Sequence, residues 1–295
     1  MVSAKQNEPL KNYCTYGIGG PARVLLAAKN TDEILAGLEM ARKDKLPFFI
    51  LGGGSNLLFS DAGFDGLVIR IENNFIDIVE KKENGASLLA GAGTPLAALV
   101  NFARDNSLSG MEWAAGIPGT FGGAIRGNAG AFGHDMGEAV LRVEALEVSL
   151  EKIIKKAIDK NDCEFSYRNS IFKKNKNLVV AAAEIFLQKG DRAAIVAAMD
   201  ESAAKKRSSQ PLDYPSAGSV FANRENFFAA KIIEDCGFKG KIYGGAQISE
   251  KHANFIVNLG NAKSSDILAL IAQIKSVAKE KFGVDLQEEI EIVEG

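Results

Sequence analysis

Histidine is almost missing from this chain: His134 and His252 are the only two among 295 residues. That scarcity starves histidine-ligated metal sites and makes a hydrolytic triad hard to assemble. Cysteine is nearly as rare. Cys14, Cys163 and Cys236 are far apart, odd in number and without CxxC spacing, which argues against a disulfide framework or a zinc knuckle. Reduced, buried thiols and no bound metal are expected. No uncharged apolar run reaches the roughly 18 residues that a membrane helix needs. The first ten residues carry Lys5, Gln6, Asn7 and Glu8 where a secretory signal would be apolar. A cytoplasmic protein is expected. A net charge of −2 offers no bulk attraction to nucleic acid or to an acidic membrane, and neither is expected as a partner.

What is present is a soluble composition, 46% hydrophobic and 24% charged, in a chain long enough for two or three packed units. Glycine bunches at 17–20, 52–54, 116–137 and 244–245. In the first stretch, Thr31 reads as a helix cap with Asp32 and Glu33 behind it. Ile34, Leu35, Leu38 and Ala41 then recur at helical spacing. Residues 47–51 and 66–71 read as strands. Residues 87–92 read as a strand, and Thr94-Pro95 as a cap opening a helix over 96–106. Residues 114–137 show no sustained period. Residues 140–148 and 178–187 are β-like, and 191–206 reads as an alanine-rich helix. Pro211 and Pro215 punctuate the chain. Beyond them come a helix over 227–235 closed by Gly237, a strand within 252–259, an amphipathic helix after Ser264 or Ser265, and a last strand over 290–293. The order argues for an α+β architecture with loops carrying the sites.

Two glycine-rich loops stand out. Gly52, Gly53, Gly54, Ser55 and Asn56 follow a strand, and such a run can turn backbone N–H groups together into a phosphate-binding nest. It matches neither the GxGxxG nor the Walker A pattern; a tight turn is the plainer reading. The second loop spans 115–133. Its Gly116, Ile117, Pro118, Gly119, Thr120, Gly122, Gly123, Asn128, Ala129 and Gly130 are small or apolar, unlike a polar linker. With Phe121, Ile125 and Phe132 they can wrap a large flat cofactor. Arg126 can meet a phosphate, though a surface arginine is the commoner reading.

Three further segments hold the residue types for reducing a polarised double bond. They are Tyr167-Arg168 within YRNSIFK, Ser219 within YPSAGSVF, and Glu288-Glu289 near the end. Each has a bland reading as surface cation, turn serine or solvated carboxylate. Ser219 lacks the GxSxG flanks of a nucleophile elbow.

Taken together, the segments resemble the UDP-N-acetylenolpyruvoylglucosamine reductases, the MurB family. The resemblance runs in order through TYGIGGPA (15–22), GGGSNLL (52–58), AGIPGTFGGAIRGNAGAFG (115–133), YRNSIFK (167–173), QPLDYPSAGSVF (210–221), GGAQISEKHANFIVN (244–258) and the EEI near 289. It covers essentially the whole chain. It implies an FAD-binding fold of the vanillyl-alcohol-oxidase (PCMH) type in two subdomains, 1–71 and 72–205. A substrate-binding α+β domain, 206–289, follows, and the strand at 290–295 returns to the first subdomain. It implies FAD as cofactor, NADPH as hydride donor and the enolpyruvyl ether of UDP-N-acetylglucosamine as substrate, in a monomer serving cell-wall synthesis. Ser219 would give a proton to the carbon beside the substrate carboxylate. Arg168 and Glu289 would stabilise the enolic charge, Glu289 either as an acid or as an orienter of a partner. The glycine loops would hold FAD, and Tyr167, Asn223, Lys231, Gln247 and His252 would be substrate or NADPH contacts.

The chain matches the shorter branch of the family, which lacks an inserted tyrosine-bearing loop; Tyr214 or Tyr243 is then expected to cover the substrate. Ser209 stands where a lysine is usual, with Lys206 or Arg207 nearby, and Glu291 stands where an arginine is usual. Two other readings fit the same residues: a sugar or alcohol oxidase of the same fold, and a non-catalytic nucleotide-sugar-binding relative.

Overall fold

The twelve-residue strand Leu178–Lys189 is the spine of the first of two units in the computed structural model, which describes residues 4–224 and 226–294. Among the described residues this unit holds Ala4, Lys5, Leu25–Gly53 and Leu67–Lys205. The long strand pairs antiparallel with Val140–Val148 on one side and Gly85–Gly91 on the other. Ile153–Asp159 and Ile76–Lys82 lie outside those two, and Leu108–Ser109 pairs with the end of the spine. A strand flanked on both sides reads as a continuous apolar run, and Ala183, Ile185 and Leu187 are buried accordingly. The outer strand Ile153–Asp159 is mostly exposed and carries Lys155 and Lys156, as edges do. In a second sheet of this unit, Phe48–Leu51 pairs in parallel with Leu67–Arg70.

Two helix starts differ from the sequence reading. Thr31–Lys43 is capped by Asn30, whose side chain accepts from the Glu33 N–H at 2.9 Å. Thr94 does not cap Leu96–Asp105. Its hydroxyl donates to the Phe75 carbonyl at 3.0 Å, and Pro95 takes the cap position. That helix buries Leu96, Leu99, Val100 and Ala103, one stripe at helical spacing. The aperiodic loop after 114 contains two short helices, Phe121–Arg126 and Met136–Ala139. Gly122, Gly123 and Ala124 in the first of these erase the polar–apolar contrast that periodicity needs.

The second unit holds Gln6–Val24, Gly54–Gly66 and the described residues from Lys206 onward. Its helix Ser264–Phe282 packs Ile267, Leu270, Ile271, Ile274 and Ala278 into a core with Tyr16, Leu58, Phe221, Ile233, Ile248 and Ile256. Tyr16 is fully buried, and its hydroxyl donates to the Ile256 carbonyl at 2.9 Å. Burial pushes the phenol well above its ordinary pKa. A three-stranded antiparallel sheet joins Ile242–Tyr243, Ala246–Ile248 and Ile256–Asn258. The strand expected within 252–259 is confined to its last part because His252 and Asn254 bond outside the ladder. The helix expected from 227 begins at Ala229 and ends before Gly237, which takes φ +79°. Glu291–Val293 pairs in parallel with Leu57–Phe59. Among the described residues no helix is long and apolar enough to cross a membrane. Nor, among them, is any group of three or more His, Cys, Asp or Glu placed to hold a metal ion.

Candidate active site

Ser219 and Glu289 lie 70 positions apart in sequence, and the second unit makes them neighbours. The segment after Ser219 runs antiparallel to 287–289. The Glu289 N–H donates to the Val220 carbonyl at 2.7 Å, and the Ala222 N–H to the Gln287 carbonyl at 2.9 Å. Gly218, at φ +80°, turns the chain immediately before the serine. The other edge of the segment is held by Asn254. Its backbone carbonyl accepts from the Val220 N–H at 2.8 Å, and its side-chain amide pairs twice with Phe221, at 2.9 and 2.8 Å. Upstream, the Thr15 hydroxyl donates to the Ser216 carbonyl at 2.6 Å.

Arg168 belongs to the first unit. It adopts φ +53°, uncommon for a residue with a side chain, in a turn closed by the Ser166 and Asn169 backbones. Its Nη2 donates to the Gly130 carbonyl at 2.7 Å, and its guanidinium carbon lies 5.1 Å from the ring centre of Tyr167, which is half exposed. The same turn is pinned by Asn128. That buried amide donates to Asp135 at 3.0 Å and to the Ser166 carbonyl at 2.9 Å, and accepts from the Gly137 N–H at 2.9 Å. Asn128 therefore shapes the loop that presents Arg168. Ala129 accepts from the Met136 N–H at 2.9 Å, ordering the next residues.

The glycine loops make the close approaches expected of them, but to protein. A Cβ on Gly52 would stand 2.5 Å from Thr120 Oγ1, and one on Gly53 would stand 2.6 Å from Gly119 Cα. The two loops of the first unit thus close on each other. Gly119, at φ +115°, accepts from the Leu96 N–H at 3.0 Å, and Gly116 is at φ +77° beside Ile117 and Pro118. Gly122 sits against Ala92, where a Cβ would meet another Cβ at 2.6 Å, whereas Gly123 has room. The Thr120 hydroxyl is buried and has no hydrogen-bond partner. In the second unit, a Cβ on Gly54 would collide with the Tyr13 carbonyl. Beyond Ser55, the Asn56 side chain donates to the Glu289 carbonyl at 3.1 Å.

Apart from Tyr167, the expected substrate contacts lie in the second unit. Asn223 accepts from the Ala229 N–H at 3.0 Å at a helix start. Lys231 pairs with Asp235 at 2.7 Å. Gln247 donates to the Gly240 carbonyl at 3.2 Å. His252 packs edge-on against Phe255 at 4.9 Å, and burial lowers its pKa. Lys206 is buried, and desolvation brings its pKa down to about 8. Thr15 and Asn254 were not singled out from the sequence. Asn254 carried a usable signal, a polar residue in the otherwise apolar run Ala253-Asn254-Phe255-Ile256.

Residues 210–293 match the UDP-N-acetylenolpyruvoylglucosamine reductase C-terminal domain family, and residues 22–152 match the FAD binding domain family. A UDP-N-acetylenolpyruvoylglucosamine reductase of Caldanaerobacter subterraneus subsp. tengcongensis is 44% identical over 97% of this chain and 92% of its own. The chain belongs to the UDP-N-acetylenolpyruvoylglucosamine reductase family. Another member of that family, from Clostridium novyi, is 40% identical over 98% of this chain and 92% of its own. The crystal structure of the Thermus caldophilus family member MurB matches with a TM-score of 0.82 at 31% identity, covering 99% of this chain and 98% of that one. These matches span both units, so the α+β fold with an FAD-binding portion is that of the reductase family.

Proposed function

We propose that the protein reduces the enolpyruvyl ether of UDP-N-acetylglucosamine to UDP-N-acetylmuramate, using FAD and NADPH, in peptidoglycan precursor synthesis. When bound, FAD carries hydride from NADPH to the terminal vinyl carbon of the substrate. The residues present fit that cofactor. The two loops of the first unit close glycine to glycine, and the buried, unpartnered Thr120 hydroxyl is a donor waiting for an acceptor. Ser55, Gly116–Thr120, Gly122, Gly123 and the 128–130 turn are the other proposed holders.

The observation that carries the catalytic reading is the backbone pairing of Glu289 with Val220, the residue after Ser219. Hydride arriving at the vinyl carbon leaves negative charge on the adjacent carbon and its carboxylate. In this reading the Ser219 hydroxyl protonates that carbon, and solvent restores the serine proton. Serine is a weak acid, but such a carbanion is basic enough to take its proton when held in place. Arg168 presents a planar, permanently charged fork to the substrate carboxylate, and its bond to Gly130 orients it. Glu289 either donates a hydrogen bond to the enol in its acid form or orients a partner that does. Each donor aimed at such charge contributes about 3–4 kcal/mol in a dry site. Asn223, Lys231, Gln247, His252 and Tyr167 are proposed to bind substrate or NADPH, and Tyr214 or Tyr243 to cover it. The 1–71, 72–205 and 206–289 division belongs to the same proposal, as do a cytoplasmic location, where both nucleotides are made, and a monomeric state.

Ser219→Ala tests it. Anaerobic flavin reduction by NADPH should survive, while oxidation of the reduced flavin by the enolpyruvyl substrate should slow by about 10²–10⁴-fold. Normal turnover in the variant would remove Ser219 from the chemistry.

A further inference from the structure

We propose that Asn254 and Thr15 are positioning residues that clamp Ser219 from its two sides, so that the angle of its hydroxyl depends on groups that never touch the substrate. The inference rests on the reading of Ser219 as proton donor. Ser219 sits between two fixed points. Three residues before it, the Ser216 carbonyl accepts from the Thr15 hydroxyl at 2.6 Å. The same hydroxyl lies 3.4 Å from the Gly54 carbonyl, and the Thr15 N–H donates to that carbonyl at 3.0 Å. Immediately after Ser219, Asn254 holds two consecutive residues with three bonds.

The Asn254 side chain works as a substitute for a neighbouring strand. Its amide presents one acceptor and one donor in a plane, matching the N–H and C=O of Phe221. Its backbone carbonyl takes the Val220 N–H. Since 287–289 already holds the opposite edge, residues 220–222 are bonded on both sides. Asn254 is itself fixed: it is 3% exposed, and its N–H donates to His252 Nδ1 at 3.3 Å. No other short side chain reproduces this. Aspartate would keep the acceptor for the Phe221 N–H but set a second acceptor, in place of the donor, against the Phe221 carbonyl. Between the clamped points, Gly218 has a left-handed backbone and no atom within 4 Å of a would-be Cβ. Ala217 and Val220, on either side of this pair, are buried; the clamps add direction to a segment that packing only confines.

The experiment measures the two half-reactions separately in the FAD-loaded enzyme. Proton donation is needed only in the second, so a displaced hydroxyl slows only that one. Asn254→Asp should leave flavin reduction by NADPH within about twofold. It should slow reoxidation by the enolpyruvyl substrate on the order of a hundredfold, since a misplacement of ~1 Å has that cost. The solvent deuterium isotope effect on that step should rise. Unchanged reoxidation in folded Asn254→Asp overturns the inference, and so does an equal fall in both half-reactions. If Asn254→Asp does not fold, Thr15→Val decides: a several-fold loss confined to reoxidation supports the clamp, and no loss overturns it. Ser219→Ala run alongside separates failures. Normal reoxidation there means the proton-donor reading itself has failed.

Discussion

The side-chain amide of Asn56 donates to the Glu289 carbonyl at 3.1 Å, and the backbone carbonyl of Asn56 accepts from the Glu291 N–H at 2.9 Å. The last residue of the first glycine loop therefore holds the segment that carries the candidate catalytic carboxyl, with Glu291 bound through its backbone in this contact. Asn56→Ala should keep the backbone bond and lose the side-chain one. The expected result is about 1 kcal/mol of stability lost and kcat lowered about tenfold by misplacement of Glu289. Substrate-dependent NADPH oxidation and thermal unfolding, measured together, check this; unchanged kcat would make the amide incidental.

Gly53→Ala should loosen the contact between the two loops of the first unit. Its Cβ would stand 2.6 Å from Gly119 Cα and 3.0 Å from the Gly119 carbonyl carbon. Backbone cannot yield like a flexible side chain, so overpacking should cost about 1–3 kcal/mol. Purified protein should carry less flavin by absorbance. Gly123→Ala is the control, because its Cβ would meet nothing nearer than 3.5 Å. It should fold normally, so any flavin it loses reports the cofactor rather than the protein.

Thr120→Val separates folding from cofactor binding. The buried Thr120 hydroxyl has no hydrogen-bond partner, a condition that costs about 1–3 kcal/mol. Removing it should leave the apoprotein as stable or more so, while FAD affinity falls about tenfold if that hydroxyl serves the cofactor. Calorimetry of the apoprotein and FAD titration read the two effects. A destabilised apoprotein with unchanged affinity would assign the hydroxyl to the fold.

His252 should give the fold a pH dependence. Burial, helped by the positive Lys239, holds its pKa below the usual value, and its Nδ1 accepts the Asn254 N–H only while that nitrogen is unprotonated. As pH falls through about 6.5, the unfolded chain takes up the proton first. Stability therefore declines with falling pH from there down to the lowered native pKa. Denaturant unfolding between about pH 5 and pH 7.5 should show this slope in the wild type. His252→Gln should lack it.

Much of the architecture was legible from residues alone. The stripe from Ile267 to Ala278 announced its helix, and the largely apolar run in 178–187 announced the central strand. Helix starts at Asn30 and Pro95 were misread because threonine hydroxyls have several possible acceptors, and only the fold decides that Thr94 finds Phe75. The glycines were recognised as sites of close approach, but what they approach was not. Gly53 meets Gly119, and Gly54 meets Tyr13 and Cys14, across separations no local pattern records.

By itself the sequence determined the family and the α+β class and offered a small set of candidate groups for the chemistry, because composition, periodicity and motif order are local properties. It left Ser219 and Glu289 as distant residues with ordinary explanations. Their adjacency, the clamp by Asn254 and Thr15, and the hold of Asn56 on Glu289 are made by hydrogen bonds between segments up to 233 positions apart. Such bonds have no directional counterpart in the linear chain. Burial of the core first brings the segments together, and the unpaired N–H and C=O groups left between them then select their partners.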